Sequence, residues 1–217
     1  SSWRADSPEQ NLKRLAEAER LANELNIAEG TSQDDRLRLA RVHFWLGRVY
    51  YSRGEMPKAM QYFKQVLPIA QEAADPELIA IPSGAIGQAM AIQGHLGKAS
   101  TLLGRAISLF EKAANWPEWI QAMSFRGSAV VGMGNYAQGI SEVKLALSRA
   151  KEINSLTGIS VSNNCLGFAH FFGGDLNLAI ETAQAAVMAA EQSGDRIYVY
   201  VGYGLWAWAA GRAGRLE

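Results

Sequence analysis

The side chains best suited to nucleophilic or metal chemistry are three histidines, His43, His95 and His170, and one cysteine, Cys165. A zinc protease needs two histidines one helical turn apart, and a thiol nucleophile needs a histidine placed beside it. Neither arrangement is present: no H-x-x-x-H or H-E-x-x-H spacing occurs, and no histidine is placed to serve Cys165 as a base. The glycines form no G-x-x-x-x-G-K-[ST] loop and no strand-to-helix G-x-G-x-x-G. No catalytic residue, metal site or cofactor is therefore expected, and the chain reads as a non-enzyme. Lys+Arg and Asp+Glu total 21 each, which argues against nucleic-acid and membrane partners. A lone cysteine allows no internal disulfide and fits a reducing, cytoplasmic setting. The N-terminal stretch is polar, and no apolar run approaches the roughly 20 residues of a membrane span.

What organises the chain is a set of small residues at a fixed interval. Gly47, Gly87, Gly127 and Gly167 are 40 apart, and Ala207 continues the series. Gly54, Gly94, Gly134, Gly174 and Gly214 repeat at the same interval, as do Ala59, Ala99, Gly139 and Ala179, and then Val66, Ala106, Ala146 and Ala186. A recurrence of this length signals stacked supersecondary units. Glycine inside a helix costs roughly 1 kcal/mol relative to alanine, which is tolerable where a neighbouring helix must come close. The series from Gly54 falls where a first helix must stop, since glycine readily takes the left-handed conformation.

The spacing predicts helices over 8–27, 35–53, 56–74, 77–93, 96–114, 117–133, 136–153, 157–173, 176–193 and 196–213. Asp75–Pro76–Glu77 and Pro117–Glu118 mark starts; Asn135, Asp175 and Asp195 are caps; Ser32 and Asp35 have capping-box form. Ile197–Tyr203 looks strand-like alone, but the repeat requires a helix there. The expected fold is all-α: a right-handed solenoid of helical hairpins with about ten helices. Residues 1–34 form an N-terminal helix and linker; repeats follow at 35–74, 75–114, 115–154 and 155–194; 195–217 is the first helix of a truncated fifth. Trp206 and Trp208 lie on that last apolar helix, so the chain reads as a piece of a longer array, with self-association through this helix as one reading.

Leu46–Gly47, Tyr50, Gly54, Ala59, Phe63 and Val66 follow the pattern L-G-x-x-Y-x-x-x-G-x-x-x-x-A-x-x-x-F-x-x-A. In this the chain resembles tetratricopeptide-repeat proteins, in a longer variant of the usual repeat of about 34 residues. It is similar to the C-terminal arrays of bacterial multidomain regulators, such as adenylate/guanylate cyclase–ATPase proteins and the maltose-regulon activator. The resemblance implies a binding module whose first helices line a concave face. Counted from each glycine of the first series, positions −3, +1 and +4 should face it. The partner-binding candidates are Phe44, Arg48, Tyr51, Gln88, Ser124, Ser128, Asn164, Phe168, Phe171 and Trp208. Their aromatic character favours a protein or peptide, such as an amphipathic helix, over a clamped peptide C-terminus. A sugar-like small molecule is the alternative ligand. Arg126 occupies a column otherwise filled by Leu46, Ile86, Leu166 and Trp206, so it needs a carboxylate among Glu111, Glu118 and Glu142.

Overall fold

The computed structural model describes residues 13–14, 16–21, 24 and 33–215. Among them, helix at 16–21 is followed by α1 (Gln33–Ser52), α2 (Met56–Glu72), α3 (Pro76–Ile92), α4 (Leu96–Lys112) and α5 (Trp116–Gly132). The order continues with α6 (Tyr136–Glu152), α7 (Leu156–Gly173), α8 (Leu176–Ser193) and α9 (Arg196–Arg212), and no strand occurs among the described residues. From residue 35 onward every expected helix lies within two residues of the observed one, including α9 over the strand-like segment. Residues 28–32 of the expected linker, Ser32 among them, and most of the helix at 8–27 fall outside the described residues, while Gln33 and Asp34 already belong to α1.

The ends of the helices have local causes. Asp75, Asp175 and Asp195 each accept a hydrogen bond from the backbone N–H three residues on, at 3.1, 3.1 and 3.3 Å. Ser155, unmarked in the sequence reading, does the same for α7 at 3.1 Å. Asn135 does not cap with its side chain; only its backbone carbonyl joins the helix, accepting from Gly139 N–H at 3.0 Å. First helices stop where Gly54, Gly94, Gly134 and Gly174 take positive φ. Second helices stop at a column the composition hides: Ala74, Ala114, Asn154 and Gly194, with φ of 50°, 51°, 53° and 72°. At Ala114 the turn closes by Ala114 N–H to Glu111 O (3.1 Å) and Asn115 N–H to Phe110 O (2.9 Å).

The chain divides into two compact units, Ser1–Pro82 and Ser83–Glu217. The boundary falls inside α3 at Pro82, a buried proline with no N–H to give a helical turn. In the first unit α1 and α2 form a hairpin around Phe44, Leu46, Ala59, Phe63 and Val66, all buried. The Tyr50 and Tyr62 rings stack 5.7 Å apart, and both phenols donate to the Glu19 carboxylate, which ties the preceding helical segment to the hairpin. Burial and that carboxylate push the Tyr50 phenol up to about 12.

In the second unit the first helices touch in succession, α5 on α7 and α7 on α9. The second helices α6 and α8 pack only on first helices. First helices thus form the tighter, inner layer of this unit. Each hairpin closes on its glycine. A Cβ at Gly87 would lie 2.7 Å from Leu103, and one at Gly127 2.5 Å from Val143 and 2.7 Å from the Gly139 carbonyl. In the first unit one at Gly47 would lie 2.5 Å from the Phe63 ring. Arg126 meets Glu142, with Nε 2.9 Å from the carboxylate, and Gln138 donates to the other oxygen at 3.1 Å.

Two substitutions should move stability in opposite directions. Gly127→Ala forces a methyl into a backbone carbonyl and should cost about 1–3 kcal/mol. Ala114→Gly relieves an L-residue at positive φ and should gain about 0.5–1 kcal/mol after the greater freedom of the unfolded glycine is counted. Urea unfolding followed by circular dichroism reads both.

Candidate functional site

A first helix is covered by its own second helix on one side and by neighbouring first helices on the flanks, so only a narrow stripe meets solvent. In α7 that stripe is Phe168 and Phe171, each half-buried, and Phe172, which is 65% exposed. The Phe168 and Phe172 rings stack at 6.4 Å, and Phe171 meets Phe172 edge-on at 5.4 Å. From α9 the Arg212 guanidinium sits 5.4 Å over the Phe171 ring, and Trp208 is 61% exposed on the same helix. These contacts make one aromatic cluster on α7, edged by a cation from α9, with Trp208 exposed one helical turn before that cation.

Beside Phe172 lies an open pocket of about 450 Å³ lined by Tyr136, Ile140, Ala169, His170, Gly173 and Asp175. Burial holds the His170 imidazole below its ordinary range, with Lys144 acting the same way and Asp175 and Glu181 against it.

The first unit carries a smaller version. Trp45 is half-exposed, Phe44 meets it edge-on at 5.4 Å, and the Arg48 guanidinium lies 5.9 Å over its ring. Tyr51 is half-buried on the same helix.

The expected face needs a correction. Position −3 does not line it: Phe44, Ser124 and Asn164 are buried, and so is Gln88 at position +1 of α3. At Ser124 and Asn164 the −3 side chains point into the contacts between successive first helices, whereas Gly84 of α3 faces Phe110 of its own second helix. Ser124 Oγ of α5 is 2.9 Å from Ser162 Oγ of α7, and a Cβ at Gly202 of α9 would lie 3.5 Å from Asn164 Oδ1. Arg48, Tyr51, Ser128, Phe168, Phe171 and Trp208 keep accessible surface. Position +5, which was missed, is open at Ile92, Gly132, Phe172 and Arg212, and +1 and +4 are open except at the buried Gln88 and Val131. Helical spacing contained the signal, because +1 and +5 are one turn apart and stack on one face. No Asp or Glu stands at +1, +4 or +5 in any repeat, whereas Arg48 and Arg212 do.

Among the described residues no group of three or more His, Cys, Asp or Glu is placed to hold a metal, and no helix is long and apolar enough to cross a membrane. Cys165 is buried in the cluster formed with Val143, Val161 and Leu166. Burial pushes its thiol up to about 11, against a smaller opposing pull from a hydrogen bond with Ser128.

Residues 38–112 match the tetratricopeptide-repeat family model. No protein of curated function matches the sequence. Among solved structures, BtubC (BKLC) from P. vanneervenii is similar at 14% identity and a TM-score of 0.63, over 97% of this chain and 86% of that one. A Rap protein complexed with competence and sporulation factor is similar at 18% identity and a TM-score of 0.66, over 90% of this chain and 56% of that one. A signal-transduction ATPase with numerous domains and a tetratricopeptide-repeat sensor, from Pyrococcus horikoshii, aligns at 16% identity and a TM-score of 0.65. That match covers 92% of this chain and 31% of the ATPase, so the chain spans about half the length of the Rap protein and a third of the ATPase. The tetratricopeptide match thus rests on residues 38–112, and at these identities the solved structures establish the fold of the helical array alone.

The buried thiol gives a direct check. An unfolded thiol ionises near 9.0 and the native one at about 11. The difference favours the folded chain below pH 9 and is lost as pH rises through 11. At pH 8 Ellman's reagent should label native Cys165 far more slowly than the urea-unfolded chain; equal rates would place the thiol at the surface.

Proposed function

We propose that this array is a non-catalytic protein- or peptide-binding module, and that its second unit takes an apolar or amphipathic helix across Phe168, Phe171, Phe172 and Trp208. The observation that carries this reading is the exposed aromatic cluster on a stripe without a single carboxylate. Soluble chains seldom leave such a patch without a use. Aromatic residues and arginine are also the side chains that contribute most to interface binding energy. The partner best suited to the stripe places apolar residues at i, i+3 or i+4, and i+7, with acidic residues beside Arg212.

The tetratricopeptide match supports an interaction role, and the fold is shared with a protein seen in complex with competence and sporulation factor. The fold is shared as well with a signal-transduction ATPase that carries a repeat sensor, which supports a regulatory or scaffold role as part of a larger signalling protein. In that setting, occupation of the stripe would bias the attached domains by changing how the first helices pack. A second reading, a small-molecule sensor of sugar-like ligands, draws on the pocket beside Phe172, where Tyr136, His170 and Asp175 offer polar groups.

Binding of a labelled amphipathic helical peptide, read by fluorescence anisotropy, tests the proposal. Phe168→Ala, Phe171→Ala and Trp208→Ala should each weaken binding about 5- to 100-fold, the range of aromatic interface residues. Retained affinity in all three, with helicity unchanged, refutes the assignment of the stripe. Binding of a sugar panel but of no peptide would favour the second reading.

A further inference from the structure

The pocket beside Phe172 lies within the second unit, where the start of α6 meets the end of α7 and the cap of α8. The same notch occurs one repeat earlier, between the start of α4 and the end of α5, and there it is filled. A Cβ at Gly132 would lie 2.8 Å from Leu96 Cδ1, so the leucine sits directly on the glycine. Forty residues on, Tyr136 stands for Leu96 and Phe172 for Gly132, and that seat is gone. The Tyr136 ring lies instead against the next residue, 3.8 Å from where a Gly173 Cβ would be. The notch stays open, with a volume of about 450 Å³.

The walls have changed chemistry along with the opening. Leu96, Val130, Gly132 and Asn135 of the earlier notch become Tyr136, His170, Phe172 and Asp175. In the repeat that follows, these columns hold Leu176, Ala210, Arg212 and Arg215, so two aromatic rings and a carboxylate coincide only here. Phe172 is 65% exposed and Tyr136 40%. Phe172 gives one face to Phe168, which leaves ring surface for a ligand. Asp175 is the one ionised residue in the lining, because burial holds the His170 imidazole below its ordinary range. Beyond the lining, Lys144 and Glu181 act on that imidazole with opposite signs. Asp175 Oδ1 accepts from the Leu178 N–H at 3.1 Å, and among the described residues no lysine or arginine pairs with the carboxylate.

We propose that this notch binds an alkylammonium group, with the cation on the Tyr136 and Phe172 rings and facing the Asp175 carboxylate. The negative face of an aromatic ring attracts a cation, and most strongly a cation that sheds water easily. Methyl or methylene groups around a nitrogen also bury their apolar surface on the rings and on Ile140 and Ala169, which a hydrated metal ion does not. An anion is disfavoured by the one charge in the lining, and a neutral ligand gains nothing from that charge. A free quaternary amine and a lysine side chain share this chemistry. The inference goes beyond the peptide reading and is independent of it, since it needs nothing bound along α9.

The probes are choline, neohexyl alcohol, in which carbon replaces the charged nitrogen of choline, and acetyl-lysine methylamide. Each is titrated into the 217-residue chain and followed by NMR through the backbone amides from Phe172 to Asp175. Saturable shifts are expected with a cation, at an affinity roughly fivefold or more above that of the alcohol. Tyr136→Ala, Phe172→Ala and Asp175→Asn should each weaken cation binding about threefold or more. Asparagine caps a helix as well as aspartate does, so Asp175→Asn should keep its melting temperature while losing the charge. Tighter binding of choline than of the lysine amide assigns the notch to a free quaternary amine, and the reverse order to a lysine side chain. Equal affinity for the alcohol, no saturable shift with either cation, or unchanged binding in both Phe172→Ala and Asp175→Asn overturns the inference. Binding of a sugar but of neither cation overturns it as well.

Discussion

Everything in this chain depends on a contact too close for a side chain. At Gly47, Gly87 and Gly127 the atoms of the facing second helix stand 2.5–2.7 Å from where a Cβ would be, closer than Cβ atoms are found. Backbone is brought against ring or aliphatic branch, and at Gly139 a Cβ would stand 2.5 Å from the Gly127 carbonyl across the same crossing. Such an approach permits one rotation of each first helix and no other. The glycines therefore do more than allow close packing. They set which residues of each first helix turn inward, sideways and out.

Once that rotation is set, the exposed stripe follows. Positions 0, −4 and −7 go under the second helix, and −3 goes between successive first helices at Ser124 and Asn164 and under the second helix at Gly84. What remains, +1, +4 and +5, holds aromatic, small and basic residues with no carboxylate. The buried polar residues obey the same geometry. Ser124 and Ser162 satisfy one another at 2.9 Å because their positions meet where α5 crosses α7. Arg126, in a column otherwise apolar, is accommodated because Glu142 lies across the hairpin at 2.9 Å and Gln138 occupies the carboxylate's second oxygen.

The parts of this arrangement that were legible in the sequence are those with a repeating chemical cause. Small-residue columns at an interval of 40 placed the helices within two residues, and Asp75, Asp175 and Asp195 announced their caps. Spacing narrowed the partner of Arg126 to Glu111, Glu118 or Glu142, and the structure selects Glu142. What was not legible has its own physics. Ala74, Ala114 and Asn154 take positive φ without glycine's signature, because the closing hydrogen bonds of the turn outweigh the steric cost. The −3 column looked like surface because its chemistry is mixed, Phe44, Gly84, Ser124 and Asn164. Burial there is decided by neighbouring helices, a first helix at Ser124 and Asn164 and the second helix at Gly84, which no periodicity within one helix reveals. Phe172 and Arg212 were passed over for the same reason: their exposure depends on a neighbour's path and not on their own composition.

The fourth hairpin shows how the constraint survives a change of residue. Position +16, filled by Phe63, Leu103 and Val143, holds Ala183 in α8, too short to reach Gly167. The space is taken instead by Leu205 of α9, whose Cδ2 stands 2.5 Å from where a Gly167 Cβ would lie, with Thr182 Oγ1 at 3.0 Å. Hairpin closure in this repeat is thus shared between its own second helix and the next first helix. Gly167 directly precedes Phe168, and Leu205 lies three residues before the exposed Trp208. A close-packed contact of this kind resists small displacement, since filled interiors have no slack to absorb it. The two helices that carry the stripe's exposed rings, α7 and α9, are therefore joined through one leucine seated on one glycine.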